Sequence, residues 1–340
     1  MYRHLLVPLD GTQLSAANTS AAIKLAASLM AQITFFHAAP RSAAELDAQA
    51  GAEAILAKAR AAADLAGVRC HTRSHHHDRP AEAILEAAQQ CHADLIVMAS
   101  HGLGGTQQLM SSSQTEKVLR RASIPLLVTR VEGNDPQPEA SRAVALIQDE
   151  HRSLGAVMRG MLRLVEQARD ALDDEPGLDH VTLERMLHYV ETFPEQLHHP
   201  TEEQVLHRLL RLRCRDSHAL LDHLEAEHAR ERELLGAAET ALYACPDGAT
   251  GRAEELLVLH TRLSQLAEHV WRHMRQEERE LLPLACSQLH ERDWAEIADA
   301  FDSHQDPRLG DLNDADFRRL FALLAQLMAR SSRSQATPSH

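Results

Sequence analysis

The second half of the chain combines helical periodicity with an unusual number of histidines. From Ala143 onward apolar residues recur every three or four positions, and no segment has the alternation of a strand. Breaks rich in Pro, Gly and Asp divide this region into four long predicted helices, over residues 143–169, 180–211, 216–243 and 252–288. Of the 23 histidines in the chain, fourteen lie between His151 and His304. These helices therefore need a chemical explanation as well as a structural one.

Each predicted helix carries one histidine on its apolar face, and two of them add a glutamate one turn later. Residues i and i+4 share a helical face, so each His-x3-Glu pair points at one centre. A single histidine on such a face is usually an ordinary core residue, but two buried carboxylates need a countercharge. Metal ions supply it, and imidazole with carboxylate suits iron, manganese or zinc. The predicted ligands are His151, His198, Glu202, His228, His273 and Glu277.

The register of the second helix is ambiguous because His199 and Glu203 form another His-x3-Glu pair. We prefer His198 and Glu202, since the residue eight positions after His198 is Leu206, just as Leu281 follows His273 by eight. From His199 the same step reaches His207, a poor core residue. His199 stays a candidate for an extra ligand or for a group that supports one.

The order of ligands distinguishes this bundle from ferritin-like ones, which use Glu-x-x-His. Here histidine comes first, and Asp-Glu-His (149–151), Glu-His (227–228) and His-Met-Arg-Gln-Glu-Glu (273–278) resemble the hemerythrin-like cation-binding family over about 143–305. The resemblance implies two non-haem irons per chain, bridged by Glu202 and Glu277 and capped by the four histidines. It is nearest to members linked to repair of nitrosative and oxidative iron damage. Oxygen carriers have a second histidine where this chain has Arg232, which favours exchange or redox chemistry over reversible O₂ carriage.

The first half instead alternates short apolar runs with helical stretches, which predicts a parallel sheet. The fold class is therefore two domains, an α/β parallel-sheet domain of the nucleotide-binding kind over 1–131 and an all-α four-helix bundle over 143–305. A polar segment over 132–142 reads as a linker. Residues 306–340 are expected to hold an amphipathic tail helix near 314–330 and a disordered end. Predicted strands are His4–Leu9, Ile33–Ala38, Val68–Thr72, Leu95–Ala99 and Leu126–Val131, and predicted helices cover 16–30, 44–66, 80–91 and 114–121.

A Gly-rich loop follows the fourth predicted strand, and a Ser-rich segment then opens a helix, as in a phosphate site. Val-Pro-Leu-Asp (7–10), Ser-His-Gly (100–102), Thr-Glu-Lys-Val (115–118) and Ile-Pro-Leu-Leu-Val (124–128) resemble, in this order, the universal stress protein family. Its ATP-binding members carry Gly-x-x-Gly, nine residues, then Gly-Ser/Thr; here Ala99 and Ser112 replace two of the glycines. The resemblance places adenosine and phosphate contacts at Pro8, Asp10, Gly102, Ser112, Ser113 and Thr115. Because each added Cβ crowds the loop, we expect ATP to bind weakly or not at all.

Some features of the first domain also have simpler structural explanations. Asp10 is also a suitable turn residue before Gly11, and the whole domain could serve as a dimer module without nucleotide. His75–His77 could bind a metal, but we expect them in a solvated loop after the third strand. The apolar strand Leu126–Val131 is expected at a sheet edge, where it would pair with a second copy. The tail helix has an apolar stripe that must pack on its own bundle, which we favour, or on a second subunit as the competing dimer surface. The stripe contains Phe317, Leu320, Phe321, Leu324, Leu327 and Met328.

Composition excludes several function classes. The net charge of −14 argues against nucleic acid, whose phosphates need Lys and Arg. No apolar run reaches the roughly 18 residues of a membrane span, and the start lacks a signal-peptide layout. Five scattered cysteines without a CxxC pair indicate reduced thiols in the cytoplasm. Together with these exclusions, the two resemblances imply a cytoplasmic homodimeric stress protein whose iron pair senses, or protects against, O₂, NO or peroxide. A di-iron enzyme that reduces NO or peroxide, and an iron storage or donor protein, are the alternatives.

Overall fold

The computed structural model describes residues 2–39, 45–101, 109–131, 137–170, 177–245 and 252–303. The chain forms two compact units, Met1–Pro136 and Gln137–His340. Each unit is described by itself. The predicted tail helix, with its apolar stripe, lies outside the described residues. So does Gly102, one of the predicted phosphate contacts.

The first unit is a five-stranded parallel sheet with helices on both faces, which confirms the predicted fold class. The strand order is β3-β2-β1-β4-β5. Strands are β1 (His4–Leu9), β2 (Gln32–Ala39), β3 (Cys70–His76), β4 (Leu95–His101) and β5 (Leu126–Val131). Helices are α1 (Gln13–Leu29), α2 (Glu45–Leu65), α3 (Pro80–Gln90) and α4 (Leu109–Arg121). Alternate residues of β1 enter two cores, with Leu5 and Val7 on one face and Leu6 on the other.

The order of strands reverses direction at β1, so a crevice is expected between the carboxyl ends of β1 and β4. The chain turns from β1 into α1 at Gly11, whose φ of +80° is a conformation that other residues rarely adopt. Thr12 then caps α1 by accepting a hydrogen bond from the backbone N–H of Ser15. Of the predicted nucleotide contacts, Asp10 therefore lies at this turn and Pro8 lies just before it, in β1.

Two predictions in this unit were wrong in detail. His75 and His76 lie in β3 rather than in a loop, paired with Ala38 and Ala39 of β2. β3 is an edge strand, and backbone pairing there needs no apolar side chain, so a polar sequence can extend it. Helix α4 has already begun at Leu109, so Ser112 and Ser113 lie within the helix rather than before it.

The second unit is helical throughout its described residues. Its longest helix, α5 (Pro138–Asp170), begins five residues before the predicted start. The next predicted helix is divided by π-helical turns into α6 (His180–Phe193), α7 (His199–Thr201) and α8 (Arg208–Arg213). The remaining helices are α9 (His218–Tyr243), α10 (Arg252–Gln276), α11 (Leu282–Gln288) and α12 (Glu291–Asp302). A 3₁₀ turn, Arg215–Ser217, precedes α9.

Three π-helical segments interrupt these helices, at Pro194–His198, Glu202–His207 and Glu277–Leu281. Such segments widen one turn of a helix and occur frequently at functional sites. Glu202 and Glu277, the two predicted bridging residues, each begin one of them. The regular three- and four-residue spacing used for the sequence prediction therefore changes at Glu202 and Glu277.

Helix α12 covers one end of the bundle by packing against α5. Trp294, Ile297 and Phe301 are buried in one cluster with Ala143 and Ile147 of α5. The Phe301 ring lies 5.8 Å from the ring of His198, so this layer separates the predicted metal site from solvent on that side. Across the described ranges, none of the helices combines the length and the hydrophobicity that crossing a bilayer requires.

Candidate metal centre

The six predicted ligands converge in the interior of the helical unit. His151 comes from α5, His228 from α9 and His273 from α10, while His198, Glu202 and Glu277 lie in the π-helical segments. None of the six is more than 3% exposed. Four helical segments thus contribute polar side chains to one buried space, which an apolar core would not tolerate without compensation.

These side chains form two groups of four that share their carboxylates. One group contains His151 and His198, the other His228 and His273, and both contain Glu202 and Glu277. Within each group, one candidate ligand atom per residue lies within 4.8 Å of the others. The arrangement therefore has two centres and two shared residues.

Each shared carboxylate directs one oxygen toward each group. In Glu202, Oε1 lies 3.4 Å from Nε2 of His198, and Oε2 lies 3.6 Å from Nε2 of His228. In Glu277, Oε2 lies 3.3 Å from Nε2 of His151, and Oε1 lies 3.0 Å from Nε2 of His273. This is the arrangement that two carboxylates need in order to bridge two metal ions.

The chemistry of these groups fits a pair of metal ions. All four oxygens of Glu202 and Glu277 are buried and lack a hydrogen bond. In the described part of the chain, the basic groups within 4 Å of them are histidines. Buried polar atoms are normally hydrogen-bonded, and buried carboxylates normally have a cation. A divalent ion in each group would satisfy both requirements.

An outer set of glutamates orients the four histidines. Each ring directs its Nδ1 to a different carboxylate, so Nε2 of each faces the centre. The pairs are His198 with Glu150 at 2.7 Å, His228 with Glu203 at 2.8 Å, His273 with Glu227 at 3.2 Å and His151 with Glu278 at 3.2 Å. Carboxylates at this position fix the tautomer of a metal-binding histidine and make it a stronger ligand.

Glu150→Gln is expected to weaken metal binding by about 10- to 100-fold, because the amide no longer accepts strongly from His198. Glu225→Gln is the matched control: Glu225 accepts from Nδ1 of His207 at 3.2 Å, and His207 belongs to neither group of four. Competition with a chelator of known affinity measures the effect. Equal affinities for the two variants would show that the outer carboxylates do not tune the site.

The metal-free histidines hold protons. Burial opposes the charge on His151, but its contacts with Glu277 and Glu278 outweigh burial and raise its pKa to about 10. Burial likewise opposes the charge on His228, and two carboxylate contacts raise its pKa to about 9. Both rings are therefore imidazolium at neutral pH, paired with the carboxylates that a metal would need.

Metal binding is consequently expected to release protons. A ligating Nε2 must be deprotonated, so at neutral pH each ion displaces the proton of at least one histidine with a raised pKa, at least about two per chain. The apparent affinity rises with pH until the pKa values of about 9 and 10 of His228 and His151 are passed. Zn²⁺ titration of the metal-free protein in weak buffer with a pH indicator measures the release. Binding without acidification would contradict the proposed ligands.

The structure places the two candidate pairs, His198 with Glu202 and His199 with Glu203, differently. Glu202 is buried and belongs to both groups of four. The Glu203 side chain is 40% exposed and accepts a hydrogen bond from Nδ1 of His228. Both histidines of the 198–199 pair face inward: His198 joins the first group, and His199 forms a third group with His228 and His273. The sequence prediction missed the outer glutamates, although Glu150, Glu203, Glu227 and Glu278 each adjoin a predicted ligand in sequence.

Five of the six residues predicted to contact a nucleotide lie at the end of β1 or in α4. Asp10 accepts hydrogen bonds from N–H and Oγ1 of Thr12 at 3.0 and 2.7 Å, which suits the simpler turn role. Thr115 is buried. Its hydroxyl donates a hydrogen bond to the carbonyl of Ala99 at 3.4 Å, which links α4 to β4. Pro8 is half-buried in β1. Ser112 and Ser113 lie in α4, and Gly102 lies outside the described residues.

Comparison with known proteins identifies both units. The universal stress protein family model matches residues 1–130, and the hemerythrin HHE cation binding domain model matches residues 137–285. The chain therefore carries a universal stress protein domain followed by a hemerythrin HHE cation-binding domain, and both predicted resemblances are confirmed.

Several known proteins are similar to the first unit. A universal stress protein of Thermus aquaticus is 52% identical over 52 residues, which cover 15% of this chain and 38% of that protein. One from Methanocaldococcus jannaschii is 29% identical over 143 residues, covering 38% of this chain and 83% of the relative. Among solved structures, a universal stress protein family member from Burkholderia pseudomallei is 28% identical, with a TM-score of 0.32, over 38% of this chain and 96% of its own.

Proposed function

We propose that the helical unit binds a pair of metal ions bridged by Glu202 and Glu277, and that iron is the ion used. The observation that carries the proposal is the sharing of these two carboxylates, one oxygen of each toward each histidine pair. His151 and His198 would cap one ion, and His228 and His273 the other. Imidazole and carboxylate ligands in a helical bundle suit iron in two oxidation states.

The cellular role we propose is a cytoplasmic stress response to O₂, NO or peroxide. An iron pair with four histidines and two carboxylates would supply exchangeable coordination positions and a change of oxidation state. The chain's own residues would bury the site and hold the four Nε2 atoms toward it, and the outer glutamates would accept hydrogen bonds from the Nδ1–H groups. The first unit would transmit the signal or hold two chains together.

Spectroscopy of the reduced, iron-loaded chain tests this role. A stable adduct with O₂ or NO, seen by optical absorption and Mössbauer spectra, supports sensing. Catalytic consumption of NO or peroxide would favour the enzyme, and transfer of iron to a chelator or apo-acceptor would favour the donor. A protein that takes up no iron under anaerobic loading would overturn the proposal altogether.

For the first unit we propose a dimer through β5. β5 is an edge strand, and its Leu127 and Val128 are 40% and 36% exposed. Exposed apolar edges pair readily with another chain. Leu127→Glu is expected to convert a dimer into a monomer in light scattering, whereas Leu119→Glu, at an exposed position of α4, leaves the mass unchanged. A dimer that survives Leu127→Glu and is lost on deletion of 312–340 would place the joint in the tail.

Nucleotide binding by the first unit stays a prediction. A universal stress protein solved in complex with cAMP is 26% identical to this chain, with a TM-score of 0.33. Ala99 and Ser112 stand where ATP-binding members have glycine, so weak or no ATP binding remains the expectation, and isothermal titration with ATP measures it.

A further inference from the structure

Aromatic rings cover the proposed metal pair on the side of His198. The ring of Phe301 in α12 lies 5.8 Å from that of His198, and the ring of Phe193 lies 6.3 Å from it. Both phenylalanines are buried, at 1% and 3% exposed. The outer partner of His198, Glu150, has a side chain that is 13% exposed, so solvent begins close to this ring. Phe301 therefore lies between solvent and the ion that His151 and His198 would hold.

Helix α12 is firmly held at its beginning. His290 and Asp293 form a capping box there. The buried carboxylate of Asp293 also accepts two hydrogen bonds from the guanidinium of Arg213, at 2.9 and 3.1 Å. The next residue, Trp294, is fully buried. Because bidentate pairs of this kind are strong and geometrically specific, we expect the first turn of α12 to stay closed.

The last turn of α12, residues 299–302, is held by weaker contacts. Asp299 and Asp302 pair with the guanidinium of Arg142 on α5, at 3.0 and 2.7 Å. The two carboxylate side chains are 74% and 60% exposed. Exposed ion pairs contribute little to stability, and the ends of helices open more readily than their middles. The turn that carries Phe301 is therefore the part of α12 that opens at the lowest cost.

We propose that Phe301 determines which small molecules reach the ion held by His151 and His198. An uncharged diatomic gas passes the ring with little movement of α12, whereas an anion passes only when the last turn opens. The reason is that an anion must give up water to cross an apolar layer, and this desolvation is costly. The inference rests on the proposed metal pair and names the ligand class of that site, NO or O₂ in preference to anions.

Ligand association with the iron-loaded full chain tests the proposal. Stopped-flow absorption measures the association rate of azide with the oxidised protein and of NO with the reduced protein. Phe301→Ala is expected to raise the azide rate by about tenfold or more, because the aromatic layer is removed, and to change the NO rate by less than about twofold. Phe301→Leu keeps an apolar side chain at this position, so its azide rate should stay close to that of the wild type.

Arg142→Gln tests the opening of the last turn. It removes both ion pairs there and should raise the azide rate by about two- to fivefold. Arg230→Gln is the matched control, since it makes the same change of charge and breaks an exposed ion pair with Glu233 on α9. Hydrogen exchange of the metal-free chain gives a second measurement. The N–H of Ser303, which bonds to the carbonyl of Asp299, should exchange faster in Arg142→Gln than in Arg230→Gln.

Leu221→Ala controls for a general loss of stability, because Leu221 is fully buried in the same apolar cluster as Phe301 but lies on α9. It should lower the melting temperature and leave the azide rate unchanged. An azide rate in Phe301→Ala equal to that of the wild type would overturn the proposal and leave the metal pair standing. A wild-type chain that takes up no iron would overturn both.

Discussion

The double variant Glu202→Gln/Glu277→Gln is expected to lose both metal ions. Glutamine keeps the shape of each side chain but removes the negative charge, so each ion loses one anionic oxygen from each bridge. The wild type should retain about two ions per chain after anaerobic loading with Fe²⁺, and the variant almost none. Metal analysis after gel filtration measures the difference.

Glu268→Gln is the control for this variant, because Glu268 is exposed on α10 and belongs to neither ligand group. It should keep the wild-type iron content. Circular dichroism should show that the double variant remains helical, since the outer glutamates still hold the histidine rings. Wild-type iron content in the double variant would show that Glu202 and Glu277 are not the bridges.

Metal removal is expected to lower the melting temperature of the helical unit by about 10 °C. Two ions, each present at about thirty times its dissociation constant, together stabilise the fold by about 4 kcal/mol. For a unit of this size each kcal/mol corresponds to about 2–4 °C. Calorimetry of the full chain with metal, and then with a chelator, measures the shift of one transition.

The same measurement on Glu202→Gln/Glu277→Gln separates metal binding from a general effect of the chelator. Its melting temperature should not respond to metal or to chelator, because the buried charges that the ions neutralise are absent. A wild-type melting temperature that is also insensitive to metal would mean that the site contributes no folding free energy through binding.

The outer glutamates connect the helices as well as orienting the ligands. Glu150, next to His151 on α5, accepts from His198, and Glu227, next to His228 on α9, accepts from His273 on α10. Each ligand-bearing segment thus positions a ligand of another one through a hydrogen bond to a carboxylate, a strong type of bond. A change at one ligand is therefore expected to disturb its neighbour on another helix.

The sequence by itself determined the class of each unit, because periodicity is local. Strand alternation with helices predicted the parallel sheet, and β1 and β5 have the bounds predicted for them. Helical spacing placed His151, His228 and His273 on inward faces, and all three are buried. Such predictions need only the repeat of a regular helix or strand and the cost of exposing apolar side chains.

Only the tertiary structure decided which side chains meet. The inward position of both His198 and His199 depends on a π-helical turn, which no regular spacing predicts. The pairing of Glu150 with His198 and of Glu195 with His199 depends on how neighbouring helices and turns align. A carboxylate beside a ligand in sequence can point at its own helix, another helix or solvent. The choice is made by packing, because the cost of burying each charge depends on what the other helices bring to it.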